Sequence, residues 1–344
     1  MDELTAHLLD AFDLGDGSDS PPATLTFVAR GAEGRVSLLE CNGARYAVKQ
    51  PFAPDAGFAD RPAAEAVVRR KADLLVELAS SGVPVPTPVA DRTGRFLVPL
   101  PDRLGGGLVR LTTWVDGVPP GNGFVPGLHA TQLGTLLGRL HAAAPQTGDL
   151  IGPWYRTVPD ADVWHDLLER GSGEPWQGEL SARRADIETL CELVRAAPAP
   201  PGPFLVGHRD LHPDNVLVAP DGQLAPVDWE DVGPVVPDRE LAKALVQWHV
   251  DGEEVDAPAV RRTVSAYRAA GGAGTVQGLD SFAMLLSGEL NFLVQQAERS
   301  LDPATGDEQR RHSVAEVHEC LLWLPPLPTL QRVLDVVLDL MPTP

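Results

Sequence analysis

The 344-residue chain is short of sulfur and of lysine, with three cysteines, three methionines and only Lys49, Lys71 and Lys243. Cys41, Cys191 and Cys320 are too few and too far apart for a disulfide framework or a Cys-x-x-Cys metal motif, so they read as buried filler. Long apolar runs are missing as well. No stretch reaches eighteen consecutive apolar residues, and the acidic, amphipathic start MDELTAHLLDAFDLG lacks the basic opening of a signal peptide. A cytoplasmic protein with no membrane partner is expected. Positive charge is scarce: 28 Lys and Arg face 48 Asp and Glu, a formal net charge of -20. That balance argues against nucleic acid as a partner, because phosphate backbones need a basic face. It suits a cationic ligand.

What is present is globular. A hydrophobic fraction of 43% and a charged fraction of 22% fit packed cores, and the length suits two lobes. Residues 1–20 carry an N-terminal helix. LTFVARGAEGRVSLLECNGARYAVKQP then reads as three antiparallel strands, with Asn42-Gly43 as a type I′ hairpin and Gly31 and Gly34 at the preceding turn. In RYAVKQ the period of two sets Ala47 and Lys49 on one face and Tyr46 and Val48 on the other. A helix is predicted over 62–81, followed by the extended connector GVPVPTPV and two further strands, RFLVPLP and LVRLTTWV. Beyond the Gly- and Pro-rich stretch from 116 the pattern is mostly helical. The fold class is α+β, with a sheet-plus-helix lobe over 21–115 and a larger, mainly helical lobe over 116–344.

The chemistry concentrates in GHRDLHPDNVLV, residues 207–218, where two histidines, an arginine, two aspartates and an asparagine precede an apolar strand. Such groups are costly to bury unless paired or used. A turn, APDGQ, leads to a second short strand, LAPVDWED, so Asp210, Asn215 and Asp228 can converge at one end of a hairpin. One carboxylate and one amide oxygen suit Mg²⁺, which favours hard oxygen donors and phosphate oxygens. Asp210 is left as a base. The alternate spacing His208-x-Asp210-x-His212 also permits a zinc-type hydrolase site, but Pro213 bends the chain and no further His/Asp cluster of hydrolase type is evident.

HRDLHPDN (208–215) matches the kinase catalytic-loop pattern His-Arg-Asp-Leu-x-x-x-Asn, with Asp228-Trp229-Glu230 in place of Asp-Phe-Gly. Together with the VPVP connector and the absence of an Ala-Pro-Glu activation segment, it resembles the aminoglycoside phosphotransferase family. The resemblance implies a bilobal protein-kinase-like fold and an ATP- and Mg²⁺-dependent O-phosphotransferase, with GTP as the alternative nucleotide. It gives Asp210 the acceptor hydroxyl, and Asn215 and Asp228 the metal. Lys49 and the backbone around Gly31 and Gly34 go to the phosphates, and Thr113 and Trp114 of the linker LTTWVDG to the adenine. The family usually pairs the strand lysine with a glutamate on the lobe's helix. Glu65 is the expected partner here, with Asp73 as the other choice. Asp238 is expected to brace the catalytic hairpin.

The acceptor is expected to be a small hydroxylated molecule, and the acidity suits a cationic one, held by residues of the helical lobe such as Asp160, Asp162, Trp164, Glu253, Glu254, Glu289, Asn291 and Glu298. An antibiotic inactivated by phosphorylation, as in resistance, is the first expectation. The second is a metabolic kinase for an amino sugar, choline-like or homoserine-like substrate. A nucleotide-binding protein without turnover is the third, disfavoured by the joint presence of Lys49, Asp210, Asn215 and Asp228.

Overall fold

A computed structural model describes residues 1–15, 21–30, 34–51, 61–120 and 129–340. The chain forms two compact units. The first comprises Met1–Gly117 together with the segments Ala219–Asp221 and Ala225–Glu230, and the second holds the remainder.

In the first unit, α1 (Glu3–Ala11) precedes β1 (Thr24–Arg30), β2 (Gly34–Cys41) and β3 (Ala44–Pro51). After α2 (Arg61–Ser80) come β4 (Pro88–Val89), β5 (Val98–Pro99) and β6 (Leu108–Thr113). The strands join in the order β1-β2-β3-β6-β4, with β5 also pairing β6, and every pairing is antiparallel. Asn42 and Gly43 both have positive φ, the geometry of the type I′ turn, and set Cys41 opposite Ala44. Asp2 caps α1 by accepting the Thr5 amide at 2.8 Å, and Leu8, Leu9 and Phe12 enter the core with Leu39, Val48, Val98 and Leu111. Val48 thus faces the core, and the strand's alternation turns Lys49 the other way. The predicted strand RFLVPLP is reduced to Val98–Pro99, since prolines at 99 and 101 cannot donate to a ladder.

The second unit contains α3 (Ala130–Ala143), β7 (Gln146–Thr147), α4 (Ala161–Arg170), α5 (Gln177–Ala196) and β8 (Phe204–Gly207). Next along the chain are β9 (Val216–Val218), β10 (Leu224–Pro226, which begins in this unit), β11 (Gly233–Val235) and α6 (Pro237–His249). The short pair β12 (Val250–Asp251) and β13 (Glu254–Val255) leads to α7 (Ala257–Ala269), α8 (Ala283–Leu301), α9 (Asp307–Trp323) and α10 (Leu327–Leu338). Helices α3 and α7 approach closely because Gly134 and Gly138 lack side chains. A Cβ on either would lie 2.2 Å from the Thr263 carbonyl oxygen or 2.5 Å from that of Tyr267. Among the described residues no helix is long and apolar enough to cross a membrane.

Candidate active site

In the second unit, β8 delivers the chain into His208-Arg209-Asp210, and Arg209 is held at φ 69, a left-handed conformation rare for a side chain of its size. Glu240 on α6 stabilises this bend. It is 2% exposed, accepts the Arg209 amide at 2.5 Å on Oε1, and meets His141 Nε2 at 2.8 Å through Oε2. Burial pushes the Glu240 carboxyl up, but the hydrogen bond from His141 and that ring's charge outweigh it, so the group stays below the usual range. Gly207 allows the approach, since a Cβ there would lie 2.1 Å from Glu240 Oε2. The brace expected at Asp238 is therefore Glu240. Asp238 accepts the amide of Thr275 at 2.8 Å instead.

Arg209 supports the loop from its other side. Its guanidinium lies 4.5 Å from the Tyr155 ring and 3.0 Å from Asp231 Oδ1, and Nε donates to the Asp231 carbonyl. Burial lowers its pKa to about 10. His208 is fully buried, and its Nδ1 accepts the Asp210 amide at 3.4 Å. Trp248 Nε1 donates to the Leu211 carbonyl at 2.8 Å. The loop is thus fixed by groups from α6, from Tyr155 and Asp231, and from its own sequence.

Asp210 collects three polar neighbours. Lys243 Nζ donates to Oδ1 at 3.0 Å, Asn215 Nδ2 donates to Oδ2 at 2.9 Å, and His212 Nε2 stands 3.4 Å from Oδ2. Burial opposes ionisation of Asp210, but the Lys243 ammonium and the His212 ring more than reverse that and hold its carboxyl well below the ordinary value. Burial likewise lowers His212, yet Asp210 and Asp214 carry its pKa up to about 10. Asn215 spends its amide nitrogen on Asp210, which leaves its oxygen as the group it can offer a cation. Among the described residues no cluster of three or more His, Cys, Asp or Glu side chains is arranged to hold a metal ion.

Of the eight residues expected to contact an acceptor, Glu289 on α8 is the one placed beside this group. Its carboxyl, pushed up by burial and drawn down by Lys243, accepts Gln247 Nε2 at 3.2 Å. Trp164 is a core residue at 2% exposure, Glu298 pairs with Arg170 at 2.8 Å, and Asn291 donates to the carbonyls of Trp154 and Thr157. Those three have structural work.

In the first unit, Asp228 adopts φ 59, another left-handed non-glycine residue, and receives Lys49 Nζ at 2.6 Å. Glu230 follows with Oε1 at 3.1 Å from Lys49 and Oε2 at 2.8 Å from Arg110. Lys71 on α2 donates to the Glu230 carbonyl oxygen. Burial disfavours the Lys49 ammonium, but Glu230 and Asp228 raise its pKa above the usual value. The Asp228 carboxylate offers hard oxygen donors of the kind Mg²⁺ favours.

One further sequence expectation is corrected. Glu65 does not pair with Lys49: its carboxylate caps the chain at Phe96 and Leu97, accepting their amides at 2.9 and 3.0 Å, and binds Arg69 at 3.3 Å. In the linker, the Thr113 and Trp114 amides donate to the carbonyls of Thr87 at 2.8 Å and Arg45 at 3.0 Å. Gly31 lies outside the described residues, while Gly34 opens β2 opposite Pro51. Sequence reasoning missed Lys243, Glu240 and Glu230. The scarcity of lysine was the available signal, for all three lysines bond to the Asp210 loop or the Asp228–Glu230 segment.

A model of the Phosphotransferase enzyme family (APH) matches residues 24–279. A homoserine kinase of Rhodospirillum rubrum is 32% identical over 195 residues, 56% of this chain and 57% of that protein. The match thus spans little more than half of the relative's length. Among solved structures, an aminopropanol kinase associated with a microcompartment superposes with a TM-score of 0.60 at 17% identity, over 92% of this chain and 94% of that one. A spectinomycin phosphotransferase in complex with ADP and spectinomycin gives 0.59 at 14% identity, over 97% and 98%. These two likenesses show the fold.

Proposed function

The chain belongs to the phosphotransferase enzyme family, and from that premise we propose that it transfers the γ-phosphate of ATP to a hydroxyl group of a small molecule. The observation that carries the reading is Asp210, an ionised carboxylate fixed by Lys243, Asn215 and His212 within a His-Arg-Asp loop. Phosphoryl transfer runs through a loose transition state that needs alignment and charge neutralisation more than covalent chemistry. A carboxylate held well below its ordinary range is a weak base. Asp210 therefore serves first to orient the acceptor hydroxyl, and it takes the proton late, when bonding to phosphorus has made the hydroxyl acidic.

Lys49 contacts the phosphates from β3. Asn215 and Asp228 are the residues assigned to Mg²⁺, which neutralises triphosphate charge when bound. ATP is the favoured nucleotide, supported by the family and by the ADP complex of the spectinomycin enzyme. Competition with GTP tests that choice.

For the acceptor, we favour a small amino alcohol of the homoserine or aminopropanol kind. The support is the homoserine kinase relative and the net charge of -20. An antibiotic acceptor rests on fold likeness alone. ADP release across L-homoserine, aminopropanol, choline, amino sugars and spectinomycin tests the assignment. Turnover of an amino alcohol supports it, and turnover restricted to an antibiotic overturns the acceptor while keeping the reaction.

A further inference from the structure

Lys49 on β3 and Arg110 on β6 stand directly opposite each other in the antiparallel register. Like charges in that relationship repel and destabilise the strand pair. Glu230 answers both, with one carboxylate oxygen 3.1 Å from Lys49 Nζ and the other 2.8 Å from Arg110 Nη2. Its backbone is held in turn by Lys71, which donates from α2 to its carbonyl oxygen. Three cations therefore converge on one residue.

Lys49 also touches Asp228, but Asp228 carries the metal assignment, and a bound dication would draw that carboxylate's lone pairs away from the ammonium. The helix carboxylate that the sequence suggested for Lys49 is unavailable, because Glu65 is engaged with Phe96 and Leu97. What α2 sends to the segment is a lysine. Glu230 is left as the anion able to hold Lys49 while Asp228 is otherwise occupied. One hydrogen bond to Glu230 leaves the ammonium two donors for phosphate oxygens.

Resting on the phosphotransferase reading, we infer that Glu230 is the positioning residue that holds Lys49 for the nucleotide phosphates, by neutralising the Lys49–Arg110 pair. The test is equilibrium binding of a non-hydrolysable ATP analogue, with and without Mg²⁺, beside the unfolding midpoint of each protein. Glu230→Gln should weaken binding about tenfold with Mg²⁺, the loss of a charge-assisted bond, and less without it, where Asp228 still holds Lys49; Glu230→Asp should recover part of the loss. Adding Arg110→Gln to Glu230→Gln should also regain affinity, since the unopposed repulsion is removed. A merely structural glutamate would not give that second-site recovery.

Affinity of Glu230→Gln within about twofold of wild type overturns the inference, as does a double variant no better than the single one. A loss seen only without Mg²⁺ also overturns it, since Asp228 would then be the group that holds Lys49 in the metal-bound state. If Glu230→Gln fails to fold, Glu230→Asp and the double variant carry the test. Lys49→Ala separates the two levels of the account. If it binds the analogue like wild type, the phosphate role of Lys49 fails; if it loses binding while Glu230→Gln does not, only the inference fails.

Discussion

Lys243 Nζ stands 3.0 Å from Asp210 Oδ1 and 2.8 Å from the carbonyl oxygen of Arg209, so one buried ammonium holds both the carboxylate and the backbone of the His-Arg-Asp loop. Lys243 is 5% exposed, and although burial disfavours its charge, Asp210 and Glu289 raise its pKa above the usual value. The pair is therefore ionised at neutral pH.

Replacing Lys243 by methionine should raise the Asp210 pKa, because its principal cation is gone while the burial remains. The carboxylate form exists above that pKa and is lost as pH falls through it. The acid limb of the kcat/KM profile should therefore move to higher pH in Lys243→Met, with kcat reduced by about one to two orders of magnitude. Lys243→Arg should retain the wild-type limb. An unmoved limb in Lys243→Met would count against the charge role of this residue.

Glu240 supplies a different kind of support, since it braces the positive-φ turn at Arg209 and pairs with His141 in the interior. Breaking a buried pair by removing one partner strands the other. Glu240→Ala should lower the free energy of unfolding in urea by about 3–5 kcal/mol. Asp238→Ala, which removes only the acceptor of the Thr275 amide, should cost less.

The contact of α3 with α7 predicts that Gly134→Ala and Gly138→Ala each destabilise the protein by about 1–3 kcal/mol or more, through overpacking against backbone. Thermal unfolding of the two variants checks this. Gly148→Ala, where a Cβ meets nothing within 4 Å, is the control and should unfold like the wild type.

His249 gives the fold an acid sensitivity. It is 1% exposed and its Nε2 lies 2.7 Å from Thr263 Oγ1, whose own hydrogen goes to the Ala130 carbonyl. Nε2 must therefore be the donor. Burial depresses its pKa from 6.5 to about 4, so its contribution is complete above pH 6.5 and is lost as pH falls toward 4. Relative to His249→Gln, the wild type should lose up to about 3 kcal/mol across that window. A difference between the two proteins that stays constant with pH would refute the assignment.

Much of the architecture was legible because its signals are local. Asn42-Gly43 states its turn, the alternation around Val48 states its face, and residues 208–215 carry the catalytic loop in one contiguous run. Partnerships were not legible where they depend on which distant side chain reaches a charge. Glu65 sits on the expected helix, yet the open amides at Phe96 and Leu97 claim it, and Glu230 meets Lys49 instead. Asp238 and Glu240 are two residues apart, and only the direction each takes from α6 separates the acceptor of the Thr275 amide from the brace of Arg209.

The central claim is that Asp210 is the group that orients and deprotonates the acceptor hydroxyl. It is tested most directly by single-turnover phosphoryl transfer from ATP to the best amino-alcohol acceptor, comparing wild type with Asp210→Asn. The account predicts a transfer rate lower by about two to four orders of magnitude, with ATP-analogue binding preserved. Transfer by Asp210→Asn at a rate near that of the wild type would contradict it.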